Sequence, residues 1–515
     1  MDSGSSVLGS HRYVATYGRL TVKETISKQD WLTAQRCLGM AWYGLRTGYE
    51  APSEAELFRM LQGQEIGGLA RQLYPSGILV SKTNGRSAAE VTQDLLTGTA
   101  TPALFEATAQ VGPFVAKADI LTRDGLGWHV IEVKSSFSDT KSISELVDDL
   151  AYTVMIFRRA AVQISKASLA LLSRTYRFGD STEFLFDIVD RTDEVNERAQ
   201  TFDEQADDVA RVLFDQTQPV PNLVSACRDC PTYESECLAS GLPHTVLEIP
   251  SLHHTKLKRL SQEGVVNISD LPTDLKLNLT QQRAVGAMLS GYAIVEPALS
   301  AALQKIEWPC HYLDFETVAT VLPLYPTLGC HRQVVTQFSI HHRGSIDAEP
   351  SHSEYLASDP KKNCERELTE ALIEKLGKRG SIIVYTNFEK RRIEALGDAF
   401  PDLADCLQSI VGRLLDLEKI IEDNVYHPEF RGSFSIKKVL PALVPELSYA
   451  ELSIRDGDTA IARFARMAKG EISGDGVETT RRQLLTYCEM DTYAMLKLHE
   501  ALSRLSARQP DAETL

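Results

Sequence analysis

AKADILTRDGLGWHVIEVKSS, residues 116–136, is the stretch that decides the fold of the first half of the chain. Residues 118–123 and 128–134 are rich in apolar and β-branched side chains and flank the turn-forming sequence DGLG. This pattern predicts two antiparallel strands joined as a hairpin. If Arg123 pairs with Trp128, Asp119 lies directly opposite Glu132, with their Cβ atoms about 4.5–5.5 Å apart.

These strands are expected to present several charged groups on one face. Lys134 follows Glu132 by two residues and therefore projects from the same face. Two opposed carboxylates can hold a divalent cation, and a neighbouring ammonium can orient a water molecule or stabilise negative charge. Glu106, in the stretch LFEATAQ that we interpret as helical, is a further candidate ligand. A surface hairpin with a simple Glu–Lys pair is the alternative.

Four cysteines bracket this hairpin. Cys227 and Cys230 have the C-x2-C spacing that brings two thiolates to one metal centre, Cys237 adds a third, and Cys37 comes from far earlier in the chain. Four thiolates suit either zinc or an iron–sulfur cluster, so these residues alone leave both open. The other five are expected to be small core residues: Cys310, Cys330, Cys364, Cys406 and Cys488.

A second set of carboxylates follows in the C-terminal half. HYLDFETV, residues 311–318, predicts a strand with Asp314 and Glu316 on one face. Residues 381–396 predict a buried strand that turns into a helix at Glu389. Residues 481–502 predict a helix on which Tyr487 and Asp491 share a face. Between these motifs we expect two helix N-caps, Asp416 and Ser435, the latter followed by the lysines Lys437 and Lys438.

Asp119 and the Glu132-x-Lys134 motif resemble the PD-(D/E)xK nucleases, and most closely their RecB-like branch. That branch often has a Gln-h-x-x-Tyr helix, where this chain has 153–157 (TVMIF), and an early histidine, which the window 63–75 lacks. The resemblance implies a restriction-endonuclease-like α/β core that holds Mg²⁺ or Mn²⁺ through Glu106, Asp119 and Glu132. Iron–sulfur members of the branch use one early and three late cysteines, which implies a [4Fe–4S] cluster here.

Asp-x-Glu, a later acid and Tyr-x-x-x-Asp resemble the DEDD exonucleases of the ribonuclease H-like α/β fold, in their tyrosine subclass. The resemblance implies that Asp314, Glu316, Glu389 and Asp491 hold two metal ions and that Tyr487 positions the water for 3′→5′ hydrolysis. Glu389 stands where that family normally has Asp.

The whole chain resembles a bacterial family of unknown function that joins these two domains. The organisation expected is a nuclease domain over 1–240, a helical connector over 241–305 and an exonuclease-like domain over 306–515. The resemblance implies a two-site, metal-dependent nuclease acting on DNA ends or single strands, in repair, recombination or phage defence. The alternative is a nucleic-acid-binding scaffold in a larger complex, with one or both nuclease sites inactive.

Length and composition limit the number of domains and the kinds of partner that this interpretation allows. A chain of 515 residues favours two or more domains. Its net charge of −16 argues against coating nucleic acid by bulk attraction, but permits local basic surfaces. We find no basic N-terminal region leading into an apolar segment and no run of about 18 apolar residues. A cytoplasmic protein without membrane association is therefore expected.

Overall fold

The computed structural model describes residues 23–48, 51–82, 85–98 and 101–507. It is a mixed α/β structure with two main sheets, which confirms the predicted fold class. The first sheet has six strands in chain order: β1 (Ile78–Leu79), β2 (Ala103–Val111), β3 (Phe114–Asp124), β4 (Gly127–Phe137), β5 (Ile164–Leu172) and β6 (Phe186–Asp190). Six helices accompany it: α1 (Lys28–Arg36), α2 (Leu38–Thr47), α3 (Glu54–Arg71), α4 (Ala88–Thr97), α5 (Ile143–Arg159) and α6 (Thr192–Phe214).

The predicted hairpin is β3 and β4, and its register is confirmed. Arg123 pairs with Trp128 and Ile120 pairs with Ile131, so that the next positions along the ladder are Asp119 and Glu132. Both strands are longer than predicted, because pairing extends to Asp124 and Gly127. The turn is therefore two residues, and Gly125 adopts a φ of 58° that disfavours a side chain.

Glu106 lies in a strand, so our interpretation of LFEATAQ as helical was wrong. Residues 103–111 form β2, which pairs along its length with β3. The run contains small residues that tolerate a helix, but pairing with β3 buries Leu104 and Ala107 in the sheet core. Tertiary packing has decided the conformation here.

A mainly helical segment joins the two sheets. It follows α7 (Tyr233–Glu236) and comprises α8 (His254–Gln262), α9 (Leu279–Ser290), β7 (Ile294–Val295) and α10 (Ala298–Leu303). Strand β7 pairs with a later short strand, β13 (Val425–Tyr426). Leu257 and Met288 of this segment share a hydrophobic core with Leu498 near the C-terminus. The connector is therefore packed against the C-terminal half rather than being a free linker.

The second sheet has five strands in the order β10-β9-β8-β11-β12. These are β8 (Cys310–Val318), β9 (Val334–Arg343), β10 (Ser351–Leu356), β11 (Ile382–Val384) and β12 (Leu414–Asp416). Strand β8 is antiparallel to β9 and parallel to β11. The helices of this half are α11 (Glu365–Leu376), α12 (Phe388–Ala399), α13 (Ala404–Val411), α14 (Leu417–Asn424), α15 (Ile436–Leu443), α16 (Gly457–Ala468) and α17 (Asp475–Ala507).

The remaining structural predictions have mixed outcomes. Asp416 is an N-cap, accepting a hydrogen bond from the Lys419 amide at 3.0 Å. Ser435 stands at the N-cap of α15, but its side chain makes no capping bond. Four of the five remaining cysteines are buried as predicted, whereas Cys406 is exposed on α13. Within the described ranges, no helix is long and apolar enough to cross a membrane.

Trp31 organises the core that joins α1 to the first sheet. Its side chain is fully buried, with ring centroids 6.1 Å from Phe114, 5.8 Å from Tyr152 and 5.3 Å from Phe202. Aromatic groups at these separations contribute more than their buried area alone. The cluster therefore fixes the position of α1, whose first residue is Lys28.

We predict that Trp31→Ala lowers the free energy of unfolding by about 3–5 kcal/mol, because it leaves a cavity among three aromatic rings. Trp31→Phe is the matched control. It keeps a ring in place and removes an indole Nε1 that has no hydrogen-bond partner, so we expect a smaller loss. Urea denaturation measures both values, and equal losses for the two variants would contradict this account of the cluster.

Candidate functional site

Three acids occupy neighbouring positions in a row across the first sheet. Phe105 pairs with Ile120 and Ala107 with Ala118, which puts Glu106 beside Asp119 between two paired positions. The continuing register puts Asp119 beside Glu132. Glu106 has a φ of 55°, which is uncommon for a residue with a side chain. The three acids predicted for the first site thus share one part of the sheet.

Two lysines hold Glu132, and one of them was not predicted. Lys28 Nζ lies 2.6 Å and Lys134 Nζ 3.0 Å from Glu132 Oε1. Both lysines also pair with Asp149 of α5, Lys28 at 2.9 Å. Glu132 is only 3% exposed, and its Oε2 has no partner. This free carboxylate oxygen is the atom of the cluster that remains available to a cation.

The two opposed acids, Asp119 and Glu132, have very different pKa values. Burial opposes ionisation of Glu132, but Lys134 and Lys28 outweigh it and lower its pKa to about 2. Burial, together with the charge of Glu132, raises the pKa of Asp119 to about 7. Asp119 Oδ2 accepts a hydrogen bond from the Val133 amide at 2.8 Å. One carboxylate is therefore ionised at neutral pH, while the other is poised to release a proton when a cation binds.

Glu106 lines the same cleft, but its carboxylate is bound by other side chains. Arg71 pairs with one oxygen, and Lys117 Nζ lies 2.9 Å from the other. The cleft has a volume of about 660 Å³ and is bounded on one side by α3, including Gln64 and Gly67. Glu106 thus borders the site without contacting the other two predicted acids.

The helix after the core contributes Asp149 rather than the residues aligned by resemblance. Thr153 and Phe157 are both fully buried in the core beneath the sheet. Asp149 lies one turn before Thr153 and reaches both lysines of the site. The pairing of Lys28 with Glu132 spans 104 residues of sequence. No local sequence pattern identified Lys28 or Asp149 as a site residue. The sequence indicates Lys28 only as a charged residue at the start of a capped helix.

The second carboxylate site is assembled by β8 and α17. Ligand oxygens of Asp314, Glu316 and Asp491 all lie within 4.8 Å of one another. Leu313 and Phe315 point away into the core, as the strand alternation predicted. The ladder between β8 and β9 is irregular just after Glu316, and such irregularities commonly redirect side chains beside active sites.

Glu389 joins this cluster from the first turn of α12. It is 3% exposed, and its Oε2 has no partner. Burial raises its pKa to about 8, with a contribution from Asp416. Its charge in turn helps to raise the pKa of Asp314 and Glu316, both of which burial holds well above their usual values. The acid predicted from the strand-to-helix turn is therefore close enough to act on the charges of Asp314 and Glu316, but it is not one of the three whose ligand oxygens converge within 4.8 Å.

Two tyrosines contact Asp491. Tyr449 Oη donates to Asp491 Oδ1 at 2.6 Å, and Tyr487 lies close enough to the same carboxyl to lower its pKa. Burial raises the pKa of Asp491 to about 6 although both tyrosines and Lys437 oppose the shift. Tyr487 was predicted from the helix spacing, whereas Tyr449 lies on a loop 42 residues away and no sequence signal identified it.

The four predicted cysteines line a common pocket. Cys37 lies between α1 and α2, and the other three come from residues 227–237. Burial raises the pKa of the Cys227 thiol, with contributions from the other three cysteines. Tyr43 Oη donates to the Glu236 carbonyl at 3.3 Å, tying the two parts of the pocket together. The structure therefore brings one early and three late cysteines together, as the resemblance implied.

The donor sets fit two different kinds of metal. Four thiols without a carboxylate or imidazole in the pocket lining suit a soft centre such as an iron–sulfur cluster or zinc. Clustered carboxylates, with an unpartnered oxygen on Glu132 and another on Glu389, suit hard cations such as Mg²⁺ and Mn²⁺. The fit at the second site is the closer one, because three ligand atoms already converge there.

Comparison with known proteins finds sequences that are similar to this chain, but none of their descriptions names an activity. Residues 311–435 match a family model described as a domain of unknown function (DUF2779). This segment contains Asp314, Glu316 and Glu389. An alignment over 215 positions that covers 38% of the chain shows 26% identity to the uncharacterized protein UU173 of Ureaplasma parvum serovar 3. The match spans 31% of that relative's length.

We predict that the second site makes stability depend on pH and on divalent cations. Its carboxyls hold protons more tightly in the folded than in the unfolded chain, because Glu389 and Asp491 have pKa values of about 8 and about 6. Without a cation, their contribution to the free energy of unfolding falls as the pH rises from about 4 to about 8. Mn²⁺ should therefore raise the melting temperature more at about pH 8 than at about pH 5.

Asp314→Asn tests whether this response belongs to the cluster. The variant removes one ionisable ligand, so we expect a flatter pH profile and a smaller stabilisation by Mn²⁺. Differential scanning calorimetry of both proteins across this pH range supplies the measurement. An identical Mn²⁺ response in the two proteins would place the responsive site elsewhere.

We predict that Cys37→Ser removes a thiol-bound metal centre and lowers the melting temperature, because the centre would join the two ends of the first region. Cys406→Ser is the matched control, since Cys406 is exposed and outside the pocket. Iron, sulfide and zinc analysis of anaerobically purified protein provides the readout. Equal metal content in both variants would argue against ligation by Cys37.

Proposed function

We propose that this protein is a divalent-metal-dependent nuclease with two sites that hydrolyse phosphodiester bonds of nucleic acid. The observation that carries the proposal is the convergence of Asp314, Glu316 and Asp491 within 4.8 Å. Buried carboxylates at this spacing repel one another unless protons or cations neutralise them. The DEDD exonuclease resemblance supplies a chemistry that uses such a cluster.

The second site contains residues suited to each part of the hydrolysis. Asp314, Glu316, Glu389 and Asp491 would hold Mg²⁺ or Mn²⁺, which supplies charge stabilisation and a nucleophile at neutral pH. Tyr487 would orient the attacking water, while Tyr449 fixes the carboxyl of Asp491. Lys437 is exposed and close enough to act on the charges of Glu316 and Asp491. Its ammonium would attract the phosphate backbone of the substrate.

The first site would use fewer residues than the second. Asp119 and Glu132 would hold the cation, and Lys134 would stabilise negative charge on the phosphate. Asp149 holds Lys134 in place, and Lys28 bridges Asp149 and Glu132. We assign Glu106, with its partners Arg71 and Lys117, to the border of the substrate cleft. DNA ends or single strands are the proposed substrate, in preference to RNA.

The cysteine pocket would have a structural role. We propose a [4Fe–4S] cluster held by Cys37, Cys227, Cys230 and Cys237, with zinc as the alternative. All nine cysteines are free thiols, which suits a reducing compartment and therefore a cytoplasmic location. The organisation into residues 1–240, 241–305 and 306–515 remains a prediction.

A second candidate function is a nucleic-acid-binding scaffold with an inactive first site. Lys28 favours it, because its ammonium already pairs with Glu132 and Asp149. A cation entering the site competes with that ammonium. Nucleic acid would then bind at the first site without being cleaved there, and turnover would depend on the second site.

We predict that Asp314→Asn and Glu132→Gln each reduce Mg²⁺- or Mn²⁺-dependent cleavage of single-stranded DNA by about 100-fold at their own site, because each removes a metal ligand. End-labelled oligonucleotides distinguish stepwise removal of 3′ nucleotides from internal cleavage. Tyr487→Phe should lower the rate of stepwise removal with little change in DNA affinity.

Asp405→Asn and Glu183→Gln are the matched controls, since both acids are exposed and distant in sequence from the motifs. They should cleave like the wild type. Loss of stepwise cleavage in Asp314→Asn alone, with Glu132→Gln unchanged, would favour the scaffold interpretation of the first site. Unchanged cleavage in both variants would show that neither site is catalytic.

A further inference from the structure

Helix α3 lines both carboxylate pockets. Its N-terminal half borders a pocket of about 560 Å³ that contains Glu316, through Ser53, Glu56 and Arg59. Its C-terminal half borders the first-site cleft. The lining residues there are Met60, Gly63, Gln64, Gly67 and Arg71. The residues that line the first-site cleft therefore begin at Met60, directly after Arg59, which lines the pocket that contains Glu316.

These residues lie mainly on one face of the helix. Ser53, Glu56, Met60, Gly63 and Gly67 follow one another at intervals of three or four residues, which aligns them along a single stripe. From Glu56 to Gly67 the helix rises about 16 Å. We call this stripe the α3 face. It is a continuous path from one carboxylate pocket to the other.

The α3 face has a fixed position relative to both sheets. Glu54 and Glu65 pair with Arg463 and Lys469 of α16, at 3.0 and 2.8 Å. Gln62 is buried, and its Oε1 accepts a hydrogen bond from the Val321 amide at 2.7 Å. These contacts place the helix against the C-terminal half on one side while its other side packs near β4. The separation between the two pockets is therefore set by the fold.

The α3 face contains glycines that the protein's own packing does not require. A Cβ added at Gly63 or Gly67 would meet no atom within 4 Å. Glycine in a helix interior is unfavourable relative to alanine, so these two positions leave room for another molecule beside the cleft at a cost in helix stability. The second, independent observation is Glu132, which lines the same cleft, is 3% exposed and has an unpartnered Oε2.

The borders of the face carry charge and apolar surface suited to a nucleic-acid strand. Arg71 and Lys117 line the first cleft, where both pair with Glu106, and Arg59 lines the second pocket, where it pairs with Asp458 and has its side chain 55% exposed. A bound strand would replace these carboxylate partners with its phosphates. Met60 is 55% exposed and Leu61 57% exposed beside the glycines. Cationic groups attract phosphates, and exposed apolar side chains can contact unpaired bases.

We propose that one single-stranded DNA molecule lies along the α3 face and occupies both carboxylate pockets at once. This inference rests on the proposed nuclease function and extends it, since it makes the two sites act on the same strand. At about 3.4 Å per stacked nucleotide, the path of about 16 Å corresponds to about five nucleotides. The end of the strand lies in one site while a phosphate farther along lies in the other.

Binding of oligonucleotides of increasing length tests the path. Fluorescence anisotropy with the full-length protein in Ca²⁺ and with phosphorothioate strands, so that the carboxylates are neutralised and the DNA stays intact, should show affinity rising once a strand is long enough to reach both pockets. Gly67→Phe should weaken binding of a long strand by about tenfold or more, because the ring blocks contacts that bind DNA bases elsewhere with comparable energies. It should affect a strand too short to span both pockets much less.

Gly68→Phe is the matched control. Gly68 lies on the same helix, also has open space beside it, and lines neither pocket. It should bind long strands like the wild type, and thermal melting checks that both variants fold. Equal binding by Gly67→Phe and Gly68→Phe, with cleavage intact in the wild type, would overturn the path but leave the nuclease proposal standing. Failure of the wild type to bind or cleave DNA would overturn both.

Discussion

Mutual repulsion among clustered, partly buried carboxylates is the constraint on which the second half of the structure depends. Asp314, Glu316 and Asp491 converge within 4.8 Å, and Glu389 adds a fourth acid from α12. Burial deprives all four of the water that would stabilise their charges, so their pKa values rise. Of the four acids, Asp491 is the one whose charged form the hydroxyls of Tyr449 and Tyr487 stabilise. Protons satisfy the arrangement at low pH, and the proposed cations would replace them as the pH rises past the pKa values of Asp491 and Glu389, about 6 and about 8.

The first site neutralises its buried acid in a different way. There two lysines, not protons, neutralise Glu132, and the pKa of that acid falls to about 2. Lys28 depends on α1, which Trp31 fixes against the sheet core. The C-cap of α1 is Cys37, so one short helix connects the cysteine pocket to the carboxylate site. A metal centre at the cysteines would therefore stabilise the position of a charged group at the opposite end of α1.

Local patterns predicted the parts of these sites that lie within one element or one hairpin. The pairing of Asp119 with Glu132 follows from strand alternation and a glycine-rich turn, and that of Tyr487 with Asp491 follows from helix spacing. Glu106 was assigned to the wrong element, because strand pairing outweighed the weak local preference of its neighbours. Lys28, Asp149 and Tyr449 reach the sites through tertiary contacts. No periodicity in a single sequence reports such contacts.

Sequence patterns likewise did not predict the position of α3 between the two halves. Its face toward the pockets contains glycines where a helix is expected to favour alanine, and only the three-dimensional arrangement shows that open space lies beside them. The ion pairs to α16 join residues more than 400 positions apart in the sequence. The two halves are therefore linked by a helix that belongs by sequence to the first and lines the carboxylate pockets of both.

The central claim is that the acids of the second half form a divalent-cation site. Anomalous X-ray scattering from crystals grown with Mn²⁺ tests it directly. The account predicts anomalous density between Asp314, Glu316 and Asp491, and loss of that density in crystals of Asp314→Asn. Well-ordered wild-type crystals at neutral pH with saturating Mn²⁺ and no anomalous density at these residues would contradict it.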